Sequence, residues 1–162
     1  MKYSAPPLSD RIILKPGEHK ALHGQAVLQP LLGSCVAACL YDEKSAVAGM
    51  NHFLLANRRF AKNIPINATE AGRYGINAME LLINDMLKLG ARKERLRAKV
   101  FGAGNIISTV ASDNFLCIGD VNSRFIREFL DTERIPIMSE DLGGGLGRVI
   151  HFHTDSYQVF RR

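Results

Sequence analysis

Residues 31–42 read LLGSCVAACLYD, and residues 49–55 read GMNHFLL. Two apolar stretches separated by a short polar segment predict a β-hairpin. A two-residue loop at Glu43-Lys44 would place Cys35 directly opposite His52, and such cross-strand neighbours have Cβ atoms roughly 4.5–5.5 Å apart. A register shift of one residue would move the two side chains to opposite faces, whereas a shift of two would leave them diagonal on one face. The length of the loop therefore decides whether the thiol meets the imidazole.

A cysteine beside a histidine is the minimum arrangement for a thiol nucleophile activated by a base. The alternative is structural, because buried cysteines in strands are common and behave as small apolar residues. Gly33 and Ser34 favour the catalytic interpretation, since a tight turn before Cys35 can present backbone N–H groups to a developing oxyanion. The Cys35 thiol is also intrinsically a stronger nucleophile near neutral pH than the Ser34 hydroxyl.

The composition indicates an ordinary globular domain. Of the 162 residues, 46% are hydrophobic and 23% are charged, which is enough for one domain with a substantial core. No apolar run approaches the roughly 18 residues of a membrane span, so no membrane insertion is expected. Residues 1–10 lack the apolar region of a signal peptide. The three cysteines show no metal-ligand spacing, and a reducing cytoplasmic location is expected.

The formal net charge of +5 favours an acidic partner. The densest basic stretch covers residues 92–99, and we interpret it as a solvated surface. Only 7% of the residues are aromatic, and no RNA-binding motif accompanies the basic residues. A nucleic-acid partner is therefore not expected.

Hydrophobic periodicity predicts two amphipathic helices, at about residues 78–89 and 121–131. Asn77 is a suitable N-cap and Gly90 a suitable residue after the C-cap of the first helix. Pro136 lacks a backbone donor, so the strand around it is expected at a sheet edge. Further strands are predicted at residues 11–14, 25–28, 99–101, 135–138, 148–154 and 157–160. This pattern predicts a single α/β (α+β-like) domain over residues 10–162, with a mixed β-sheet core, after a flexible N-terminal tail at residues 1–9.

Three further segments contain residue types that occur in functional sites. The long polar stretch at residues 57–75 is interpreted as a substrate-facing flap, with an ordinary surface loop as the alternative. The glycine-rich residues 143–147 are predicted to form a flexible loop, because they lack the Lys-Ser/Thr pair of a phosphate-binding P-loop. His151 and His153 alternate on one strand face without a third ligand, so no metal site is predicted.

Ordered sequence motifs run along most of the chain. They are LGSCVA at 32–37, GMNHFLL at 49–55, RYG at 73–75, AMELLI at 78–83, KVFG at 99–102 and EDLGG at 140–144. Together they resemble the CheD family of bacterial chemoreceptor glutamine deamidases over roughly residues 10–160.

The resemblance implies a cytoplasmic protein-glutamine glutaminase. Such an enzyme converts selected glutamines in the helical region of methyl-accepting chemoreceptors to glutamate in chemotaxis adaptation, and it releases ammonia. The resemblance further implies a fold similar to bacterial deamidating toxins and a Cys-His-Thr triad, with Cys35 as nucleophile and His52 as base. No metal or organic cofactor is implied, and a CheC-type phosphatase is an implied partner.

One position departs from the family pattern. The family threonine lies six residues before the nucleophile, where this chain has Gln29. The third member of a triad accepts a hydrogen bond from the imidazole and fixes its tautomer. The side-chain carbonyl of Gln29 can accept the same bond, so two outcomes are open. Either Gln29 replaces threonine competently, or His52 is poorly held and the enzyme is slow.

The expected mechanism is attack of the Cys35 thiolate on a glutamine carboxamide, followed by hydrolysis of a thioester. Pairing with an imidazolium ion is expected to lower the pKa of Cys35 below its ordinary value. Two other functions remain as alternatives. A non-catalytic adaptor is favoured by the Gln29 departure, and a generic cysteine peptidase or small-amide amidase would share the Cys-His pair.

Overall fold

The computed structural model describes residues 2–55, 60–61, 70–105, 115–116 and 118–161. The strands in this part of the chain are β1 (Arg11–Ile13), β2 (His19–His23), β3 (Val27–Gln29), β4 (Leu31–Leu32), β5 (Val36–Asp42), β6 (Val47–Phe53), β7 (Phe60–Ala61), β8 (Arg97–Gly102), β9 (Phe115–Leu116), β10 (Ile137–Leu142), β11 (Arg148–His153) and β12 (Val159–Arg161). The helices are α1 (Glu70–Lys88) and α2 (Ile118–Thr132), with short 3-10 turns at Leu8–Asp10 and Lys93–Arg95.

Two five-stranded sheets form the framework. The first has the strand order β10-β8-β5-β6-β2, and the second has β1-β3-β11-β12 with β4 paired to β11. Both sheets are mixed. In the first, β8 and β10 pair in parallel while β5 is antiparallel to β6 and β8. In the second, β1 and β3 pair in parallel while β11 is antiparallel to β3 and β12. Strands β7 and β9 form a separate antiparallel pair. This arrangement confirms the predicted fold class.

Strand β5 is buried on both faces and separates two hydrophobic cores. Val36, Ala38 and Leu40 face the core that the first sheet shares with the two helices. Ala37, Cys39 and Tyr41 face the core between the two sheets. Successive strand residues point to opposite faces, so the sequence VAACLY supplies small and apolar side chains in both directions. The central strand is thereby fixed between a helical layer and a second sheet.

The hairpin of β5 and β6 has a longer loop than the sequence suggested. Asp42 pairs with Val47, so the loop contains the four residues 43–46 rather than two. Its geometry depends on Ala46, which has a positive φ of 55°, and on a hydrogen bond from the Lys44 N–H to the Asp42 carboxylate. The predicted register was therefore wrong by two residues. A shift of two preserves the face on which each side chain lies.

Both predicted helices are present, and the apolar side chains of the second are buried, namely Val121, Phe125, Ile126, Phe129 and Leu130. Helix α1 begins at Glu70, so Asn77 lies inside it and the predicted N-cap was wrong. Gly75 also lies inside this helix. The helix passes so close to α2 there that a Cβ would lie 2.6 Å from a ring carbon of Phe125, so the contact requires a glycine. At the other end, Gly90 has a φ of 106°, as the predicted helix end requires.

Three other expectations changed in detail. Residues 19–23, which lie between the strands predicted at 11–14 and 25–28, form β2 at one edge of the first sheet. The predicted loop at residues 57–75 ends earlier, since residues 70–75 belong to α1, and most of the remainder lies outside the described residues. Pro136 directly precedes β10, which lies at the other edge of the first sheet, as predicted. The N-terminal tail carries Tyr3, whose ring stacks on Phe160 at 3.8 Å, and its flexibility stays a prediction.

Candidate active site

The structure places Cys35 and His52 on the same face and at the same end of the β5–β6 hairpin. His52 pairs with Ala37, and Ala37 faces the core between the two sheets. Cys35 lies just before β5 and packs against the same core while staying partly exposed. In the observed register the two residues are diagonal rather than directly opposite. Diagonal neighbours in a sheet are close enough for longer side chains to interact.

The turn that carries the thiol is anchored through its carbonyl groups. The Gly33 carbonyl accepts a hydrogen bond from the Gly104 N–H at 2.9 Å, and the Cys35 carbonyl accepts one from the Ala103 N–H at 2.7 Å. Between them, the Ser34 carbonyl accepts a hydrogen bond from the Asn122 side chain at 2.7 Å. With three successive carbonyls occupied, the orientation of the peptide groups before the nucleophile is fixed.

Strand β8 approaches the backbone of Cys35 at Gly102. This residue has a φ of 107°, and a Cβ there would lie 2.1 Å from the Cys35 carbonyl oxygen. No side chain larger than hydrogen fits at that distance. The GAG sequence at residues 102–104 therefore places its first glycine where the contact with Cys35 requires one.

The imidazole of His52 is held by the main chain of the opposite sheet. Its Nδ1 lies 2.8 Å from the carbonyl oxygen of Leu14, and a carbonyl can only accept, so Nδ1 carries the proton. Nε2 is then the basic nitrogen. It is buried and has no hydrogen-bond partner in the described part of the chain. Burying an acceptor without a hydrogen-bond partner costs free energy, and a catalytic role is one common explanation for such an atom.

Gln29 does not take the place expected of the third triad member. Its side-chain oxygen accepts hydrogen bonds from Arg11 at 3.0 Å and from His151 at 2.9 Å, while the His52 proton goes to Leu14. The backbone carbonyl of Gln29 accepts a hydrogen bond from the Leu14 N–H at 3.0 Å. Gln29 thus contacts the residue whose carbonyl orients the imidazole, and it does so through its main chain.

The protonation states differ from those expected from an ion pair. Burial raises the pKa of the Cys35 thiol above its ordinary value, and the contact with its own backbone N–H opposes this only in part. Burial lowers the pKa of the His52 imidazole, and the hydrogen bond to Leu14 and the charge of Glu18 oppose this. The predicted lowering of the Cys35 pKa was therefore wrong. At neutral pH the site contains a neutral thiol and a neutral imidazole.

Two residues of the site were missed in the sequence. Leu14 acts through its backbone carbonyl, which every residue possesses, so no sequence signal marks it. Asn122 is fully buried on α2, and a polar residue among the apolar positions of a predicted helix was the available signal. Among the described residues, no cluster of three or more His, Cys, Asp or Glu side chains is arranged to hold a metal ion.

Replacing Gln29 by threonine or alanine is expected to change kcat by less than about tenfold, because the imidazole keeps its hydrogen bond to the Leu14 carbonyl. Loss of the hydrogen bonds from Arg11 and His151 is expected to lower the free energy of unfolding by about 1–3 kcal/mol. Steady-state kinetics and urea denaturation measure the two effects. A rise of kcat by a hundredfold on Gln29→Thr would show instead that residue 29 itself orients the base.

The fold and the site define an α+β protein with a thiol and a basic imidazole at one end of a buried hairpin, an arrangement typical of cysteine-dependent hydrolases. A family model described as CheD chemotactic sensory transduction matches residues 54–162. The chain belongs to the CheD family.

Relatives with high identity extend the match to most of the chain. A probable chemoreceptor glutamine deamidase CheD 1 of Geobacter sulfurreducens is 55% identical over 152 residues, which cover 93% of this chain and 76% of the relative. A CheD 2 of Shewanella oneidensis is 49% identical, with coverages of 93% and 75%. A CheD 2 of Chromobacterium violaceum is 48% identical, with coverages of 89% and 69%.

Similarity to solved structures is more distant. A Neisseria meningitidis protein of the family model DUF152 aligns with 74% of this chain and 48% of its own, at a TM-score of 0.42 and 12% identity. Nothing about the activity rests on that likeness. In the described residues, no helix is long and apolar enough to cross a membrane.

Proposed function

We propose that this chain is a chemoreceptor glutamine deamidase that uses Cys35 as nucleophile and His52 as base. One observation supports this most strongly. A partly exposed thiol and a buried imidazole lie at the same end and on the same face of one hairpin, and the imidazole Nε2 lacks a partner. The names of the relatives supply the substrate class, which is the glutamine side chains of chemoreceptors.

In the proposed first step, Nε2 of His52 takes the thiol proton as the sulfur attacks the carboxamide carbon. No hydrogen bond joins these groups in the described residues, and catalytic hydrogen bonds often shorten only when substrate is bound. Because the pair starts neutral, the proton moves during the attack rather than before it. The candidate donors to the oxyanion are the backbone N–H groups of residues 33–35. The carbonyl groups of this turn already accept hydrogen bonds from other parts of the protein, so the orientation of its peptide groups is fixed.

The remaining steps return the enzyme to its starting state. The imidazolium protonates the amide nitrogen, the C–N bond breaks, and ammonia leaves a thioester between Cys35 and the former glutamine. His52 then takes a proton from water, and the resulting hydroxide attacks the thioester carbon. The C–S bond breaks, the sulfur regains its proton from His52, and glutamate is released. The Leu14 carbonyl stabilises the imidazolium in both halves by accepting the Nδ1 proton.

The proposed partner is the cytoplasmic helical region of a methyl-accepting chemoreceptor, with a CheC-type phosphatase as a second partner. The net charge of +5 suits an acidic helical surface. We place the activity in the cytoplasm, where a reducing environment keeps the Cys35 thiol free.

The proposal is tested with purified protein and a chemoreceptor cytoplasmic fragment. Ammonia release is followed together with mass spectrometry of receptor peptides, which identifies each glutamine converted to glutamate. Multiple turnovers with equal amounts of ammonia and new glutamate are expected. A fragment whose converted glutamines are already glutamate is the matched control and should yield no ammonia. Stoichiometric binding without ammonia would support an adaptor instead, and peptide-bond cleavage would support a peptidase.

The pH dependence of kcat/KM is expected to show a broad plateau. The active form has a neutral Cys35 thiol and a neutral His52 imidazole. The acid limb of the profile therefore follows the His52 pKa, and the alkaline limb follows the Cys35 pKa. The His52 pKa lies below the ordinary imidazole value of 6.5, and the Cys35 pKa lies above the ordinary thiol value of 9.0. Activity should therefore stay level between these two pH values. Ultraviolet titration of the thiolate provides the independent check, and a thiolate already formed in mild acid would contradict the neutral pair.

A further inference from the structure

The hairpin ladder stops one pair short of the nucleophile turn. Phe53 pairs with Val36, so the same register continued would put Leu55 opposite Ser34. His52 directs its backbone N–H to Glu18 and its carbonyl to the Gly17 N–H, away from β5. Backbone groups along a strand point alternately to its two neighbours. The Leu55 N–H therefore points towards β5, where the Ser34 carbonyl would be its acceptor in a continuous ladder.

The side chain of Asn122 occupies the place of this hydrogen bond. The Leu55 N–H donates to Oδ1 of Asn122 at 3.1 Å, and Nδ2 of Asn122 donates to the Ser34 carbonyl at 2.7 Å. A carboxamide has the same donor and acceptor groups as a peptide unit, so both backbone groups stay satisfied. The ends of the two strands are separated by the width of one carboxamide. Cys35 lies at this separation, between Ser34 and the first residue of β5.

Helix α2 holds the carboxamide rigidly. Asn122 is fully buried and lies near the start of α2, which packs so tightly on the end of β8 that a Cβ at Gly119 would lie 2.4 Å from the Ala103 carbonyl oxygen. Ala103 in turn donates its N–H to the Cys35 carbonyl. The start of α2 therefore contacts the turn before Cys35, the residue after β8 and the segment after β6.

We propose that Asn122 is a positioning residue that keeps the ends of β5 and β6 apart and so sets the placement of the Cys35 thiol relative to the His52 imidazole. This inference rests on the proposed function for its kinetic consequence. Its structural consequence is independent. Without the carboxamide, the Leu55 N–H and the Ser34 carbonyl pair directly, the ladder extends, and Cys35 moves into the sheet.

The first test is Asn122→Ala, with Ile126→Ala as the matched control. Ile126 is fully buried on the same helix and faces the helical core, so its loss weakens α2 without touching the two strand ends. We expect kcat of Asn122→Ala to fall about 10²-fold, with KM changed by less than roughly threefold, because misplaced reacting groups affect the chemical step. Ile126→Ala should lower the melting temperature similarly and leave kcat near that of the wild type.

The second test separates positioning from stability. Asn122→Asp keeps an acceptor for the Leu55 N–H and loses the donor to the Ser34 carbonyl. Protonation of the introduced carboxyl restores a donor, so the activity of this variant relative to the wild type should rise as the pH falls. A ratio that does not change with pH would contradict a role through the Ser34 carbonyl.

Alkylation of Cys35 by iodoacetamide makes the outcome independent of the deamidase assignment. Closing the ladder should slow alkylation of Asn122→Ala by at least roughly threefold relative to Ile126→Ala. An equal or faster rate, or equal loss of kcat in the two variants, would overturn the role of Asn122. If the wild-type protein releases no ammonia, the proposed function fails, whereas the alkylation rates still decide this inference.

Discussion

Cys35→Ala is expected to abolish ammonia release, with kcat falling by about 10⁴-fold or more, because no other group in the proposed mechanism can form the thioester. The variant should keep its fold, since Cys35 lies outside β5 and is only partly buried. It should also still bind the receptor fragment. Enzymatic ammonia determination and circular dichroism measure the two properties on the same preparation.

Cys39→Ala is the matched control. Cys39 has the same side chain on the same face of the hairpin, but it is fully buried in the middle of β5, and burial raises its thiol pKa strongly. Its replacement should cost stability and leave kcat nearly unchanged. Rapid acid quenching of the wild type during turnover should reveal a substrate adduct on Cys35. Undiminished ammonia release by Cys35→Ala would exclude the cysteine mechanism.

Gly102→Ala is expected to have the largest effect on stability, lowering the free energy of unfolding by about 2–5 kcal/mol. Two costs combine, which are the positive φ of 107° and the 2.1 Å approach of the new Cβ to the Cys35 carbonyl oxygen. Strain of the first kind costs about 1–2 kcal/mol, and overpacking adds about 1–3 kcal/mol. Urea denaturation followed by circular dichroism measures the sum.

Gly90→Ala separates these two costs. Gly90 has nearly the same φ, 106°, but nothing lies within 4 Å of a Cβ built there. Its replacement should therefore cost only the conformational strain, about 1–2 kcal/mol, without loss of kcat. The folded fraction of Gly102→Ala should instead show a lowered kcat, because the clash moves the backbone of the nucleophile. Equal destabilisation by the two variants would mean that β8 relaxes away from Cys35.

The parity of the hairpin loop was sufficient to predict that Cys35 and His52 share a face. A loop of two residues was predicted and a loop of four is found, and a register error of two residues leaves every side chain on its face. The error arose at the loop, where Ala46 adopts a positive φ. An alanine in the sequence does not indicate that conformation. Glycine or asparagine at that position would have indicated the longer turn.

The parts of the site that depend on tertiary contacts could not be predicted. The pKa of Cys35 was expected to fall because an imidazolium ion was expected beside it, yet burial raises this pKa, and burial is known only from the packed structure. The role of Asn122 depends on where α2 lies relative to the hairpin. The start of α1 was missed because residues 57–75 were interpreted as a polar loop and Asn77 as the N-cap, whereas the helix begins at Glu70.

The acceptor for the imidazole has a genetic consequence. A threonine hydroxyl is lost when its codon changes, whereas the oxygen supplied at position 14 belongs to the main chain. Because the Leu14 side chain is buried, alleles at position 14 should reduce the amount of folded protein and leave the activity of each folded molecule unchanged. A residue other than threonine at position 29, here glutamine, is tolerable for the same reason.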